Sequence, residues 1–179
     1  MSKSTLKKIR IIGGSGSGKS FLAKKLSKFL NIEHCDLDDL FWDSNANTYG
    51  IKAVTEIRNK KLNQILENNS WIVEGVYYRE WTHKSFIEAD RIFLLTPNVY
   101  LQHWRVTFRF VKRKLGLEKN NKKDNIKSLI ELIRWNHQYT KKILSEIKTI
   151  SADFDNKIYA CKNVNNLITS LNKEVYEKS

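Results

Sequence analysis

The chain has 179 residues, of which 41% are hydrophobic and 11% aromatic, and it carries a formal net charge of +13 with an isoelectric point near 9.7. This length and apolar content predict a single globular domain over residues 1–179 and exclude a disordered chain. No apolar run approaches the roughly 20 residues of a membrane span, and the N-terminus lacks the apolar core of a signal peptide, so we expect a cytoplasmic protein with no membrane segment.

The net charge itself has two interpretations. A basic surface suits phosphate-rich ligands or nucleic acid, but lysines spread over a solvated face give the same net charge. The two cysteines, Cys35 and Cys161, fall in predicted strands, and we expect buried, reduced thiols. The four histidines show no metal-ligand spacing, so no zinc site is predicted.

The most specific motif is the run Gly13-Gly14-Ser15-Gly16-Ser17-Gly18-Lys19-Ser20, which fits the pattern G-x-x-x-x-G-K-[ST]. An apolar, β-rich run precedes it and apolar residues at helical spacing follow it, which gives the order strand, glycine loop and helix. Glycines let successive backbone N–H groups turn toward an anion, and the helix directs its positive end at the same place. A glycine-serine linker is the alternative, but a linker does not explain the flanking elements.

This motif predicts binding of a nucleoside triphosphate. Lys19 is expected to reach the β- and γ-phosphates, and the Ser20 hydroxyl to take a position on Mg²⁺. The purine is expected at the turn over 162–164, where Asn163 also caps the last helix. The predicted nucleotide-binding residues are Gly13, Ser15, Gly16, Ser17, Gly18, Lys19, Ser20, Phe21 and Asn163.

Carboxylates follow two of the five predicted strands, which cover 6–12, 31–36, 71–75, 91–96 and 157–162. Asp36 and Asp38 come at the end of the second strand, and Glu74 ends the third. In open α/β sheets the ligand crevice lies beyond the carboxyl ends of the strands, so these groups are expected beside the glycine loop. Asp38 and Glu74 are candidates for holding Mg²⁺, partly through water, or for contacting an acceptor; a capping role is the alternative for Asp36.

The acceptor side has weaker signals. The stretch Leu40-Phe41-Trp42 either packs as core or lines an acceptor pocket, and the aromatic and basic cluster at 77–81 suits a planar or anionic acceptor but also fits the start of a surface helix. A helix is predicted from Ile51, and Arg134 lies on another helix that follows residue 125. The candidate acceptor residues are Trp42, Arg79 and Arg134.

A basic stripe lies on the long helix after the only proline, Pro97. Arg105, Arg109 and Arg113 recur every four residues on one face, where like charges repel unless an anion such as polyphosphate offsets them. A solvated basic face is the alternative. The polar segment 115–125 is a candidate lid, or an inert exposed hairpin.

These pieces together resemble the adenylate-kinase-like P-loop kinases, and within them the family of DNA topology modulation proteins, the FlaR-type proteins of bacteria. The resemblance covers nearly the whole chain. It is carried by the glycine loop 13–20, by Asp38-Asp39-Leu40-Phe41-Trp42 (the family has Asp-x-Leu-Phe-Trp), by Trp71-Ile72-Val73-Glu74-Gly75 (the family has Trp-Ile-x-Asp-Gly), by the basic helix from Trp104 to Arg113, and by Arg134-Trp135-Asn136.

The resemblance implies a P-loop NTPase fold: a five-stranded parallel sheet flanked by helices, with a short helical-hairpin lid over 109–134. It also implies ATP with Mg²⁺ and lid arginines at Arg105 and Arg109. Glu74 departs from the family's aspartate, and 115–125 lacks the motif of a full adenylate kinase lid, so AMP is not implied as the acceptor. Asp36-Leu37-Asp38 resembles the Asp-x-Asp of shikimate kinases, which leaves a non-nucleotide hydroxyl acceptor open.

Two functions compete. The first is a small-molecule kinase, nucleotide- or nucleoside-type or shikimate-kinase-like, that moves the γ-phosphate of ATP to an anionic or hydroxyl acceptor, with Lys19, Asp38, Arg105 and Arg109 as catalytic residues. The second is an ATP-responsive DNA-binding protein that modulates DNA topology, which the charge permits but no nucleic-acid-binding motif supports. We favour the kinase, because a phosphate-binding loop beside crevice carboxylates is the machinery of phosphoryl transfer. The sequence predicts neither the acceptor's identity nor the oligomeric state.

Overall fold

The computed structural model describes residues 6–43, 46, 50–78, 80–118, 125–151 and 154–176. Over these residues the strands are β1 (Lys8–Gly13), β2 (His34–Asp36), β3 (Trp71–Gly75), β4 (Arg91–Leu95) and β5 (Ile158–Cys161). The α-helices are α1 (Lys19–Leu30), α2 (Leu37–Phe41), α3 (Thr55–Leu66), α4 (His83–Glu88), α5 (Val99–Lys114), α6 (Ile126–Ser151) and α7 (Val164–Tyr176). Strands and helices alternate along the chain, as parallel sheets require.

The strands pair in the order β2-β3-β1-β4-β5, and every pair is parallel. In the central strand β1, Ile11 lies opposite Glu74 of β3, and Gly13 lies opposite Leu95 of β4. Because all strands run the same way, their carboxyl ends meet at one edge of the sheet. This arrangement confirms the predicted α/β fold with a five-stranded parallel sheet flanked by helices.

Helices cover both faces of the sheet. Alternate residues of β1 and β3 point to opposite faces, and apolar side chains on each face are buried by helices. One buried cluster joins the sheet to α2, α3, α4 and α6, and includes Ile12, Leu37, Leu62, Leu66, Trp71, Val73, Phe86 and Ile143. The other joins it to α1 and α7, and includes Ile9, Ile11, Leu22, Leu26, Ile72, Phe93 and Leu171. No helix in the described part of the chain combines the length and the apolar character needed to cross a bilayer.

Two predicted elements have different bounds in the structure. The second strand ends at Asp36, and the five residues after it form the short helix α2. The helix expected from Ile51 begins at Thr55, because Lys52 pairs with Trp42 in an antiparallel bridge that keeps this stretch extended. Both differences lie beside the cavity described below.

Helix α5 turns aromatic residues toward solvent. Its aromatic residues Trp104 and Phe108 are 62% and 47% exposed, and they stack with ring centroids 5.2 Å apart. The polar residue Gln102 is buried instead, together with Val106. Contacts with the glycine loop, and not hydrophobicity alone, therefore determine which face of α5 is buried.

Both cysteines are free thiols, Cys35 in β2 and Cys161 in β5. They are half-buried, so the expectation of full burial is wrong. Burial of the Cys35 side chain among the carboxylates at the strand ends raises the pKa of its thiol to about 12. This thiol is therefore protonated at neutral pH and a poor nucleophile.

Candidate active site

The glycine loop connects β1 to α1 at the carboxyl edge of the sheet. Gly16 and Gly18 have φ angles of +75° and +99°, in the left-handed region that glycine adopts without strain. Gly18 is the N-cap of α1, and no side chain makes a capping bond there. The first N–H groups of α1 are therefore left to an anion, as expected for a phosphate-binding loop.

The glycines also let two helices approach the loop. A Cβ at Gly14 would collide with the side-chain oxygens of Asn136 and Gln102, and a Cβ at Gly16 would lie 2.7 Å from the carbonyl oxygen of Gln102. The back of the loop is thus packed against α5 and α6. Larger residues at these positions would push the helices away or distort the loop.

Side chains from α5 and α6 bind the loop's carbonyl groups. Arg105 donates from Nη1 to the carbonyl oxygen of Gly16 at 3.1 Å, and Asn136 donates from Nδ2 to that of Ser15 at 3.0 Å. Asn136 and Gln102 are buried. With its carbonyls bound from behind, the loop is fixed in one shape.

Lys19 is the first residue of α1 and lines the main cavity. Its ammonium donates to the carbonyl oxygen of Gly14 at 3.0 Å. Burial lowers the pKa of Lys19, and the nearby carboxylates of Glu74, Asp38 and Asp36 partly offset this effect. This hydrogen bond holds the ammonium over the glycine loop, at the position where a bound triphosphate would contact it.

Three carboxylates lie near this lysine at the ends of β2 and β3. Asp36 accepts the N–H of Asp38 at 2.9 Å as the N-cap of α2, which is the capping role considered as its alternative. Burial, together with the charge of Glu74, raises the pKa of Asp36 to about 7. Asp38 lines the cavity and accepts a hydrogen bond from the Tyr77 hydroxyl at 2.8 Å.

Glu74 is the most unusual of these groups. It lies at the end of β3, is 1% exposed and lines the cavity. Neither of its carboxylate oxygens has a hydrogen-bond partner among the described residues. A buried carboxylate in this condition is costly unless a ligand or cation completes it.

Two cavities meet at the glycine loop. The main cavity, of about 790 Å³, contains Lys19, Ser20, Asp38 and Glu74. A second, of about 510 Å³, lies between the loop, α5 and the start of α7, and is lined by Gly16, Ser17, Gly18, Phe21, Leu101, Arg105, Arg109, Lys162, Asn163, Val164 and Asn165. Gly16, Gly18, Phe21 and Arg109 line both, so the two form one continuous site.

The predicted basic stripe divides between the two cavities. Arg105 lines the second, Arg113 lines the main cavity, and Arg109 lines both. Arg113 also forms an ion pair with Glu118 at 3.6 Å. The stripe therefore borders the site along its length.

The predicted acceptor residues have different outcomes. Trp42 lines the main cavity, beside Phe41. Arg134 is exposed and does not line either cavity, because Leu132, Trp135 and Asn136 occupy the inward face of α6 and residue 134 points away. Arg79, and residues 119–124 of the candidate lid, lie outside the described residues.

A buried arginine that the sequence analysis did not single out supports this end of the site. Arg10, in β1, is fully buried and donates to the carbonyl oxygens of Ile11 at 2.7 Å, Val73 at 3.1 Å and Tyr77 at 2.6 Å. Its guanidinium lies 5.2 Å from the Phe86 ring centroid, and burial lowers its pKa to about 10. The sequence signal for this residue is a single arginine inside an otherwise apolar strand. Gln102 and Asn136 give a similar signal, because each is a polar residue inside a helix.

The described residues contain no group of three or more His, Cys, Asp or Glu side chains arranged to hold a metal ion by themselves. Mg²⁺ does not require one, because it is commonly held by one or two carboxylates, water and the phosphates of the nucleotide. Ser20, Asp38 and Glu74 all line the main cavity, and the unpartnered oxygens of Glu74 fit such an ion.

The fold is similar to that of solved shikimate kinases. The shikimate kinase from Acinetobacter baumannii in complex with shikimate matches with a TM-score of 0.54 and 16% identity over 98% of this chain and 96% of that chain. The shikimate kinase from Bacteroides thetaiotaomicron matches with a TM-score of 0.56 and 14% identity over 96% of this chain and 99% of that chain. No protein-family model matches the sequence, and no curated protein matches it significantly. At these identities the likeness shows the fold alone: this chain has the five-stranded parallel α/β fold of the solved shikimate kinases.

Proposed function

We propose that this protein is an ATP-dependent kinase that transfers the γ-phosphoryl group to a hydroxyl group of a small molecule. The observation that carries the proposal is one cavity lined both by the glycine loop with Lys19 and by the carboxylates of Asp38 and Glu74. Phosphoryl transfer needs this combination of anion binding and an acceptor-side carboxylate. The solved proteins with this fold are named as kinases, and one is in complex with the hydroxyl compound shikimate.

The donor half follows from the loop. The triphosphate lies along the N–H groups at the start of α1, and Lys19 stabilises the migrating phosphoryl group. Arg105 and Arg109 add positive charge as negative charge develops on the phosphates. The base occupies the second cavity beside Asn163, whose side chain accepts the N–H of Asn165 at 3.0 Å.

The acceptor half depends on Asp38. Its carboxylate, held by the Tyr77 hydroxyl, orients the attacking hydroxyl group and takes its proton. Residues 109–118 and 125–134, at the facing ends of α5 and α6, close over the site and exclude water, so that the phosphoryl group goes to the acceptor. Mg²⁺ held by Ser20, Glu74 and Asp38, partly through water, would supply charge neutralisation at the phosphates.

Replacing Lys19 tests the donor half. Lys19→Ala is expected to weaken ATP binding about a hundredfold, measured by isothermal titration calorimetry, because the phosphates lose the cation that bonds to them. The matched control is Lys24→Ala, an exposed residue of the same helix that lines neither cavity. Both variants should melt cooperatively; unchanged ATP affinity in a folded Lys19→Ala protein would refute the proposal.

Replacing Asp38 tests the acceptor half. Asp38→Asn is expected to suppress acceptor-dependent ADP release about a hundredfold or more while ATP still binds, since an amide takes no proton. The panel of acceptors should include nucleosides, nucleoside monophosphates and hydroxy acids. Turnover equal to that of the unaltered protein would remove Asp38 from its role.

An ATP-responsive DNA-binding protein of the FlaR type is the second candidate. In its favour are the net charge of +13 and the exposed Trp104–Phe108 pair on α5, with the Lys112 ammonium 4.8 Å from the Phe108 ring centroid. Specific binding should survive physiological salt and show a preference among duplex sequences. Affinity that disappears by about 0.2 M salt without such a preference would reduce it to non-specific electrostatics.

A further inference from the structure

The outer face of helix α5 is apolar and exposed to solvent. The inward face of this helix carries Gln102 and Val106 and packs against the glycine loop. On the opposite face, apolar residues recur every three or four positions and are 41–73% exposed; they are Tyr100, Leu101, Trp104, Phe108, Val111 and Leu115. At about 3.6 residues per turn these six side chains form one continuous band along the helix, the outer stripe.

The outer stripe is a large apolar surface for a soluble chain. Its side chains expose on the order of 600 Å², whereas the largest apolar patch on a typical monomer measures about 300–600 Å². Trp104 and Phe108 lie at its centre, with parallel rings whose centroids are 5.2 Å apart. Patches of this size mark surfaces that bind another molecule or a membrane. The stripe therefore calls for a partner with an apolar surface of its own.

The charges carried by the same segment of the chain are all positive. The sequence contains no Asp or Glu from residue 91 to residue 117, but six Lys and Arg residues. Lys112 and Lys114 lie on opposite sides of the outer stripe, each about 80° around the helix from Trp104. The Lys112 ammonium is 4.8 Å from the Phe108 ring centroid, at the border of the apolar surface. The partner is therefore expected to carry negative charge beside its apolar part.

The shape of the outer stripe favours a lipid surface. The stripe lies on the convex side of one helix, and Trp104, Phe108, Val111 and Leu115 line neither of the two cavities described above. A peptide or a small ligand binds in a groove or a pocket, whereas lipid chains surround a convex apolar ridge without one. A helix with Trp, Phe and Leu on one face and lysines along its borders has the composition that binds at a lipid–water interface.

We propose that the outer stripe of α5 binds the surface of a membrane that contains anionic lipids. Trp104, Phe108 and the neighbouring apolar side chains enter the boundary between the headgroups and the acyl chains. Lys112 and Lys114 remain at the level of the lipid phosphates, with their apolar stems along the stripe. The helix lies in the plane of the membrane surface, so no spanning segment is needed. This inference does not depend on the kinase reaction.

Two other partners fit the outer stripe less well. A second copy of the chain would bring together two segments that have no Asp or Glu over 91–117, so their basic side chains would repel. Single-stranded nucleic acid matches the charge, and its bases stack on aromatic rings. However, Trp104 and Phe108 already stack on each other, and the aliphatic side chains of Val111 and Leu115 offer no face for stacking.

Binding of the full chain to vesicles tests the proposal. Sedimentation with vesicles of phosphatidylcholine alone is compared with sedimentation with vesicles that also contain about 30% phosphatidylglycerol, at physiological ionic strength. We expect at least about tenfold tighter binding to the anionic vesicles, together with a blue shift of the tryptophan emission. Trp104→Phe should bind nearly as well but lose most of the blue shift, because Trp104 is the tryptophan of the outer stripe.

A pair of truncations tests the apolar part of the interaction. Trp104→Ala combined with Phe108→Ala should weaken binding to the anionic vesicles at least about tenfold. The matched control is Ile57→Ala combined with Ile87→Ala, which truncates residues that are 53% and 51% exposed on α3 and α4. The control should bind as the unaltered protein does. Both double variants should also keep its melting temperature, because every replaced residue is exposed.

A pair of charge removals tests the electrostatic part. Lys112→Gln combined with Lys114→Gln should weaken binding to the anionic vesicles about twentyfold, since each lysine near the surface accounts for about fivefold. Lys60→Gln combined with Lys61→Gln removes the same charge from exposed positions of α3 and should change the affinity less than about threefold. Equal losses in the two variants would contradict a specific role for the borders of the stripe.

Four results would overturn the proposal. The first is equal binding, or no binding, to neutral and anionic vesicles. The second is anionic-vesicle binding that Trp104→Ala with Phe108→Ala leaves intact, which would be adhesion of a chain with a net charge of +13. The third is a dimer, seen by analytical ultracentrifugation, that this double variant dissociates. The fourth is binding to oligothymidylate that the double variant loses while vesicles are not bound, which would assign the stripe to nucleic acid.

Discussion

The two ends of the main cavity are built in opposite ways. At the proposed donor end, the backbone of 13–20 would supply the binding groups, and Arg105 and Asn136 bind its carbonyls from outside. At the acceptor end, side chains supply them: Asp38 and Tyr77 meet from α2 and from the segment after β3. The donor end is therefore encoded by one short run of sequence, and the acceptor end by residues that only the fold brings together.

This difference has a consequence for specificity. Backbone N–H groups recognise any polyphosphate, so the donor end can remain the same in proteins with different acceptors. Side chains from several elements can be replaced one at a time, so the acceptor end is free to change with the substrate. Variants that affect one end of the cavity and spare the other test whether the two ends act independently.

The largest effect is expected at the donor end. In Gly16→Ala the alanine would have to adopt a φ near +75°, and its Cβ would lie 2.7 Å from the Gln102 carbonyl oxygen. The substitution should therefore lower the free energy of unfolding by about 3 kcal/mol and weaken ATP binding about a hundredfold or more. Chemical denaturation and calorimetry measure the two effects. Gly50→Ala is the control, because Gly50 also has a positive φ, +101°, but nothing lies within 4 Å of its Cβ position; it should cost only about 1 kcal/mol. Equal losses in both variants would show that packing against α5 is unimportant.

A smaller effect, confined to the acceptor end, is expected for Tyr77→Phe. Loss of the 2.8 Å hydrogen bond to Asp38 should lower kcat about tenfold, because the carboxylate is no longer oriented, while the Kd for ATP stays the same. Tyr139→Phe loses a bond of the same length to the carbonyl oxygen of Val76 and should change stability by about 1 kcal/mol with kcat within about twofold. If ATP affinity fell in Tyr77→Phe, the two ends would not be separable.

The smallest effect concerns pH. The folded-state pKa of Asp36, about 7, lies above its ordinary value of 3.8, so the folded protein binds this proton more tightly than the unfolded chain does. Stability is therefore lost as pH rises from about 4 to about 7, and the full cost is present above pH 7. Asp36→Asn, which can still cap α2, should raise the Tm by a few degrees at pH 8 in metal-free buffer and by almost nothing near pH 4. Thermal melts across this range check it, with Asp43→Asn as a control that should show no such trend; a pH-independent difference in Tm would contradict the burial explanation.

The sequence was sufficient for the fold and for the position of the glycine loop between β1 and α1. The glycine loop and the apolar strands are recognised from residues that are close together in the sequence. For this reason β3 and the start of α7 lie where they are predicted. The loop's flanks fixed the order strand, loop and helix. Short-range patterns are informative wherever a structure is built from short-range geometry.

The acceptor end could be predicted only in part. Asp38, Glu74 and Trp42 line the cavity, but Arg134 points away and α2 was not expected. Gln102 and Asn136 are polar residues in helices whose exposed faces are rich in apolar ones, so hydrophobic periodicity misassigns them. Their burial depends on contact with a loop more than eighty residues away, which no local pattern records.

The buried guanidinium of Arg10 makes the acceptor end part of the sheet's own cooperative unit. The chain leaves the sheet after β3, and Arg10 holds the carbonyls of Val73 and Tyr77 to the central strand. Local opening of this segment would leave the buried guanidinium with the carbonyl oxygen of Ile11 as its one remaining acceptor among those described, which is strongly destabilising for a buried charge. The segment that positions Asp38 therefore does not fray on its own: it exchanges its amide hydrogens only when the sheet itself unfolds. We therefore expect any motion during the proposed reaction to occur in α5 and α6, on the other side of the cavity.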